Sequence, residues 1–247
     1  MTTLFRAFGW LILLAGLAPL LMAVWVSFSP DSFLTPPVEA WSLKWYRRFA
    51  DDSRWTAAAG RSLVVAVLSS GACVGLALLA VVSNRTGNRL LLPPAVLPPV
   101  AIGLGLLPAL QRVGLWGTLG SVIVVHTAMG LPVAYLLFRS WAGGRLAELE
   151  LAARGLGANR WAVFLRVTLP VLRPAILAAV VVQFVLSWNE ALVTVFLTTS
   201  KSETLPVVMW SQLRGSASPL VAVAAVVSAT AGLVAVAVIA RAFRRRG

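Results

Sequence analysis

The chain has 247 residues, 59% of them hydrophobic and 12% charged, with a mean hydropathy of +0.88. A water-soluble domain carries about twice that share of charge, so a surface built to face only water is excluded. The net charge of +13 comes from 21 Lys and Arg against 8 Asp and Glu, yet the cations punctuate apolar blocks instead of coating one face, which points to membrane topology and away from nucleic acid.

A bilayer core of ~30 Å needs ~20 helical residues, and apolar runs without period-two alternation favour helices over a barrel. The chain is read as an all-α membrane protein, one domain over residues 1–247. Six transmembrane helices are expected at about 8–28, 61–82, 90–110, 118–138, 174–197 and 219–240. Arg6 precedes the first block, but its length and the lack of a small-x-small cleavage pattern favour a retained span over a signal peptide. The second carries Gly71 and Gly75 in GxxxG spacing, which suits either close helix approach or plain small-residue packing. The third opens with Pro93, Pro94, Pro98 and Pro99 and runs on through Gly103 and Gly105. That spacing predicts a kinked or discontinuous helix.

Cations set the direction. With the N-terminus inside, 13 of the 21 fall in inner segments, namely Arg6, Arg85 and Arg89, the six between Arg139 and Arg173, and the four from Arg241 to Arg246. The outer segments hold the acids Asp31, Glu39, Asp51, Asp52 and Glu203. Both termini are therefore expected in the cytoplasm. The outer segment 29–60 contains Pro30, Pro36 and Pro37 and the aromatics Trp41, Trp45, Tyr46 and Trp55, which with Trp210 read as interfacial anchors. Asn84-Arg85-Thr86 forms a glycosylation sequon, but on an inner loop, and is discounted.

The inner segment 139–173 is charged yet patterned. In RLAELELAARGL (145–156), Leu146, Leu149, Ala153 and Leu156 share a helical face, and Glu150 sits four before Arg154. Gly157 ends that helix. Asn159 caps a second, in which Trp161, Phe164, Leu165 and Thr168 share a face. Pro170 is expected to stop it, and Pro174 suits the first turn of the fifth span. On patterning alone this helix–turn–helix either rests on lipid or docks a protein.

Residues 150–170, ELAARGLGANRWAVFLRVTLP, resemble the EAA loop of ABC-importer permeases: Glu-Ala-Ala, three residues, Gly, nine residues, Ile-x-Leu-Pro. Ala152, Ala153, Gly157, Val167, Leu169 and Pro170 stand at the matching positions. SLKWY (42–46) and TLP (204–206) extend the likeness, which is strongest to spermidine/putrescine-type permeases. Two positions depart: Leu151 stands where the family has Glu, with Glu150 one place earlier, and Gly155 where an Asp is frequent. The resemblance implies a type I ABC importer permease fold whose coupling loop, through Glu150, Ala152, Ala153, Gly157, Leu169 and Pro170, inserts into a cleft on an ATPase. It implies two ATPase subunits, a sibling permease or second copy, and an extracytoplasmic solute-binding protein. The setting it implies is the bacterial inner membrane, with ATP and Mg²⁺ on the ATPase and no cofactor on this chain. Glu150 points about 100° from the motif position, so docking rests on shape and apolar contact.

Ionisable side chains at membrane depth are costly and mark functional candidates. Gln183, Ser187 and Glu190 form an i, i+4, i+7 stripe on the fifth span, flanked by Trp188 and Asn189, while His126 is the titratable residue of the fourth. Glu190 and His126 are expected at similar depths, ~10–12 Å below the outer surface. Three readings are open: structural pairing between helices, a translocation path in which Glu190 attracts a cationic solute such as a polyamine, and a proton relay of an ATP-independent secondary transporter.

Other chemistries lack residues. Cys73 is the single cysteine, so no disulfide forms within the chain, and one histidine leaves no multi-His metal site. Lys44 and Lys201 are the only lysines and neither follows a glycine, so there is no Walker A loop and ATP hydrolysis falls to another chain. An intramembrane enzyme would need a nucleophile–base pair that no spacing here supplies.

Overall fold

The computed structural model describes residues 2–32, 40–83, 91–215 and 218–244. The sequon at 84–86 and Pro36, Pro37, Glu39, Arg85, Arg89, Arg245 and Arg246 lie outside the described residues. The regular elements of the described residues are all helical: α1 (Thr2–Ser27), α2 (Lys44–Asp51), α3 (Ser53–Ser83), a 3₁₀ turn (Pro93–Ala95), α4 (Pro99–Arg112), α5 (Leu119–Gly155), α6 (Arg160–Val163), a π turn (Phe164–Thr168), α7 (Leu169–Asn189), α8 (Thr194–Leu197), α9 (Leu205–Gly215) and α10 (Pro219–Arg244). Among the described residues, four stretches are long and apolar enough to cross a membrane: Ser53–Ser83, Leu119–Gly155, Arg160–Asn189 and Pro219–Arg241.

The chain packs as two units, residues 1–60 with 205–233, and 61–204 with 234–247. In the first, α2 is amphipathic. Trp45 and Phe49, four apart, turn inward while Lys44, Arg47 and Arg48 stay out. They join Trp55 and Ala58 of α3, Leu205 and Val208 of α9, and Leu220, Val221, Val223 and Ala224 of α10 in one core. Trp45 Nε1–H donates to the Asp31 carbonyl at 3.0 Å, and the Tyr46 and Ser27 hydroxyls meet at 2.8 Å. Trp45 and Trp55 are thus core residues, 5% and 2% exposed, where the sequence suggested anchors; Trp41, at 71%, and Trp210, at 38%, are left open. Asp52 accepts the Arg54 N–H at 2.8 Å, and this cap starts α3 eight residues ahead of the expected 61.

In the second unit, α3, α5 and α7 meet through small side chains. Cys73 and Ala77, Ala134, and Ala175 and Ala179 pack around Val74, Val81, Tyr135 and Phe138. Lipid is as apolar as leucine, so close van der Waals contact between such residues carries the association. Gly71 and Gly75 play no part in it. Both are exposed, with open space where a Cβ would stand.

Two expected spans are interrupted. The described part of the segment expected at 90–110 is a 3₁₀ turn and then α4. Pro98 is extended (φ −57°, ψ 138°) because a residue before proline is pushed out of the helical region, and Pro99 opens the helix at its first position. The span expected at 174–197 stops at Asn189. Glu190 is extended (φ −78°, ψ 117°), its Oε1 accepts the Val193 N–H at 2.9 Å, and the chain restarts as the single turn α8. Gln183 and Ser187 therefore lie on one helix, but Glu190 leaves the stripe at its end. Val193 fits because Gly103 of α4 lacks a side chain; a Cβ there would overlap Val193 Cγ2.

Candidate functional site

The loop 139–173 begins at a break within α5. Gly143 adopts φ 25°, ψ −173°, which separates the membrane portion from a helix over 144–155. That helix ends in a Schellman turn: Gly157 N–H donates to the Arg154 carbonyl (2.9 Å) and Ala158 N–H to that of Ala153 (3.0 Å). Gly157 itself sits at φ +87°, the left-handed region open to glycine. Asn159 Oδ1 then accepts the Ala162 N–H at 2.8 Å, the cap expected of it.

Pro170 does not stop the second helix. The backbone runs on from Arg160 to Asn189. The π turn over 164–168 lies one turn ahead of the proline, and its wider winding accommodates a ring that would otherwise press on the Arg166 carbonyl. Pro174 likewise lies inside α7.

The inward face of 145–156 also differs from the expected one. Leu146 and Glu150 are buried and Ala153 partly so, whereas Leu149 is 41% and Leu156 90% exposed. Glu150 turns inward because Thr168 Oγ1 donates to its Oε1 at 2.6 Å, a contact between the two arms of the loop. Sequence reasoning missed Thr168 as that partner; its place on the inner face of the second arm was the available signal. Of the motif residues, Ala152, Gly157 and Pro170 are exposed and Leu169 is half-buried. Leu151 (73%), Leu156 and Trp161 (74%) leave an apolar outer surface on the loop.

The membrane polar residues meet around the break after α7. His126 Nδ1 lies 2.7 Å from Ser187 Oγ and its Nε2 3.0 Å from Thr194 Oγ1. Gln183 Nε2 donates to the His126 carbonyl at 2.8 Å, and Ser69 Oγ on α3 donates to Ser187 Oγ at 3.0 Å. All five side chains are buried. Gly130, one turn after His126 on α5, makes this possible, since a Cβ there would overlap the Gln183 amide. Asn189 lies outside the cluster, exposed, with Nδ2 donating to the Val185 carbonyl at 2.8 Å. The His126 ring is engaged by hydroxyls, and Glu190 by the Val193 amide, so the two do not pair with each other. Ser69, Thr194 and Gly130 were not singled out from sequence, although a glycine four after His126 is a legible sign that something occupies its place.

His126, Gln183, Ser187 and Glu190 line a cleft of about 290 Å³ whose other walls are apolar, among them Pro94, Ile102, Met129 and Leu186. Glu190 is the one charged side chain among the lining residues. A single carboxylate at an apolar wall is suited to an ammonium group on a hydrocarbon stem and repels an anion.

Residues 71–246 match the family described as binding-protein-dependent transport system inner membrane component. Over 202 residues the chain is 30% identical to the putrescine transport system permease protein PotI of Escherichia coli, a match covering 73% of this chain and 69% of that one. Over 140 residues it is 32% identical to the probable ABC transporter permease protein y4oR of Sinorhizobium fredii, covering 56% of this chain and only 49% of the relative. The fold is that of a chain in the crystal structure of a bacterial ABC transporter involved in import of the acidic polysaccharide alginate. The TM-score is 0.75 at 14% identity, over 99% of this chain and 94% of that one.

Proposed function

The chain belongs to the binding-protein-dependent transport system inner membrane component family, the membrane permeases of ABC importers, and on that premise we propose that it forms the translocation path for an amine-bearing solute, of the polyamine kind, and takes its drive from a separate ATPase through residues 150–170. It is a transporter subunit and not an enzyme.

In this reading the six apolar segments cross the bacterial cytoplasmic membrane with both termini inside. Two ATPase subunits bind ATP and Mg²⁺ and close together. Their closure draws in the 139–173 loops of this chain and of a sibling permease or second copy, and the bundle turns outward to receive solute from an extracytoplasmic binding protein. Hydrolysis resets it. Leu151 in place of the motif glutamate, exposed beside Leu156 and Trp161, supports docking by apolar contact. The break at Gly157 supports a loop shaped to enter a cleft and not merely to lie on lipid.

The observation that carries the solute class is Glu190, the one charged group among the residues lining the cleft. An oxyanion or an acidic sugar would meet unfavourable charge there; a protonated amine would not. Two experiments test the reading. A mild-detergent pull-down of the tagged chain from its native membrane should bring down a stoichiometric ATPase, and a preparation without one would remove the coupling role. Glu190→Gln should abolish putrescine uptake by the assembled complex while ATP hydrolysis continues. Full uptake by that variant would remove Glu190 from the path.

A further inference from the structure

Each buried hydroxyl around the α7 break has one proton to donate, and counting those protons orders the cluster. The Glu190 carbonyl can only accept, so Thr194 Oγ1, 3.2 Å away, spends its proton there. The same oxygen then offers only lone pairs to His126 Nε2 at 3.0 Å, which places the ring hydrogen on Nε2. Nδ1 is left as an acceptor, and the Ser187 hydroxyl donates to it at 2.7 Å. Ser187 in turn accepts from Ser69 at 3.0 Å. The bonds run one way, from α3 to α7 to α5 and back to the turn after α7. Reversing them would cost the Thr194 bond to Glu190 and would swing Ser69 to the Ala66 carbonyl at 3.4 Å.

We infer that His126, in its Nε2–H form, is a positioning residue: through Thr194 it fixes the turn that holds the Glu190 carboxylate at the cleft. Glu190 is gripped twice from that turn, at its carbonyl by Thr194 and at Oε1 by the Val193 amide. Thr194 is fully buried, and its side chain is tied to α5 through the imidazole. Gln183 holds the His126 backbone in place from the other side. A proton relay would need a final acceptor able to pass a proton on, and a backbone carbonyl is not one. The chain of bonds therefore sets geometry and does not conduct. The inference rests on Glu190 being the solute-contacting group.

The sequence contains one histidine, so ¹⁵N-histidine labelling of the whole protein in lipid bilayers gives a single pair of ring signals. At neutral pH these should be a pyrrole-type Nε2 and a pyridine-type Nδ1. Thr194→Val should shift the Nε2 signal, and Thr194→Ser, which keeps the oxygen, should return it. An Nδ1–H tautomer, an imidazolium, or an unchanged spectrum in the valine variant overturns the inference. In proteoliposomes of the full complex, with putrescine as probe, solute delivered per ATP hydrolysed should fall about tenfold in Thr194→Val, the scale of one lost buried hydrogen bond, and recover in Thr194→Ser. Equal delivery per ATP in the valine variant overturns the positioning role. A wild-type complex that moves no putrescine, with the tautomer as stated, would instead count against the amine reading of the cleft, so the two failures are distinct.

Discussion

Thr168 and Glu150 are joined by a 2.6 Å hydrogen bond that ties the helix entering the 139–173 loop to the one leaving it. Both are buried, so the bond braces the loop from within, and Leu151, Leu156 and Trp161 are exposed beside Arg145, Arg154 and Arg160. The residue nearest the motif glutamate thus joins the two arms of the loop.

Thr168→Val removes one donor from a buried carboxyl group without changing side-chain volume much. It should lower stability by about 1–3 kcal/mol, the cost of an unsatisfied buried polar group, and Thr168→Ser should restore most of it. Thermal unfolding of the detergent-purified protein reads this directly. A valine variant as stable as wild type would mean that Glu150 needs nothing from Thr168.

Gly157 has open space around the position of a Cβ, so a side chain there is opposed only by the backbone conformation. A β-branched residue at φ +87° costs about 1–3 kcal/mol, enough to reshape the turn. Gly157→Val should leave ATP hydrolysis running while uptake falls, and Gly157→Asn, which tolerates the left-handed region, should be milder. Undiminished uptake in the valine variant would end the coupling role of this turn.

Gly130 is the reverse case, a steric and not a conformational requirement. A methyl group there would overlap the Gln183 amide, so Gly130→Ala should destabilise the protein by about 1–3 kcal/mol, as overpacking does. Adding Gln183→Ala should recover part of the loss, and a double-mutant cycle measures that recovery. Simple additivity would show that the overlap is relieved elsewhere.

The sequence was most legible where one local rule acted alone. Asn159 capped the helix it was expected to cap, Gly157 broke the one before it, and the prolines from 93 to 99 interrupted their span. It was least legible where local rules met tertiary demands. Pro170 looked like a stop, but a π turn upstream let the helix continue. Glu190 looked like part of a stripe, yet it ends the helix by capping the next turn with its own carboxyl oxygen. Leu156, at a periodic apolar position, is 90% exposed because Glu150 and Thr168 took the inner face. The His126 network joins residues more than 50 positions apart, and no window of sequence contains it.

The unbroken winding from Arg160 to Asn189 covers 30 residues, or about 45 Å at 1.5 Å per residue. Trp161 is at one end of this rod and Glu190 just past the other. A tilt of only about 5° about its lower end would carry the upper end sideways by roughly 4 Å, more than the length of any hydrogen bond in the His126 network. Had Pro170 been a flexible joint, that motion would have been lost at the joint. In the proposed coupling, the continuous helix carries a small displacement at the Gly157 elbow to the carboxylate as a larger one.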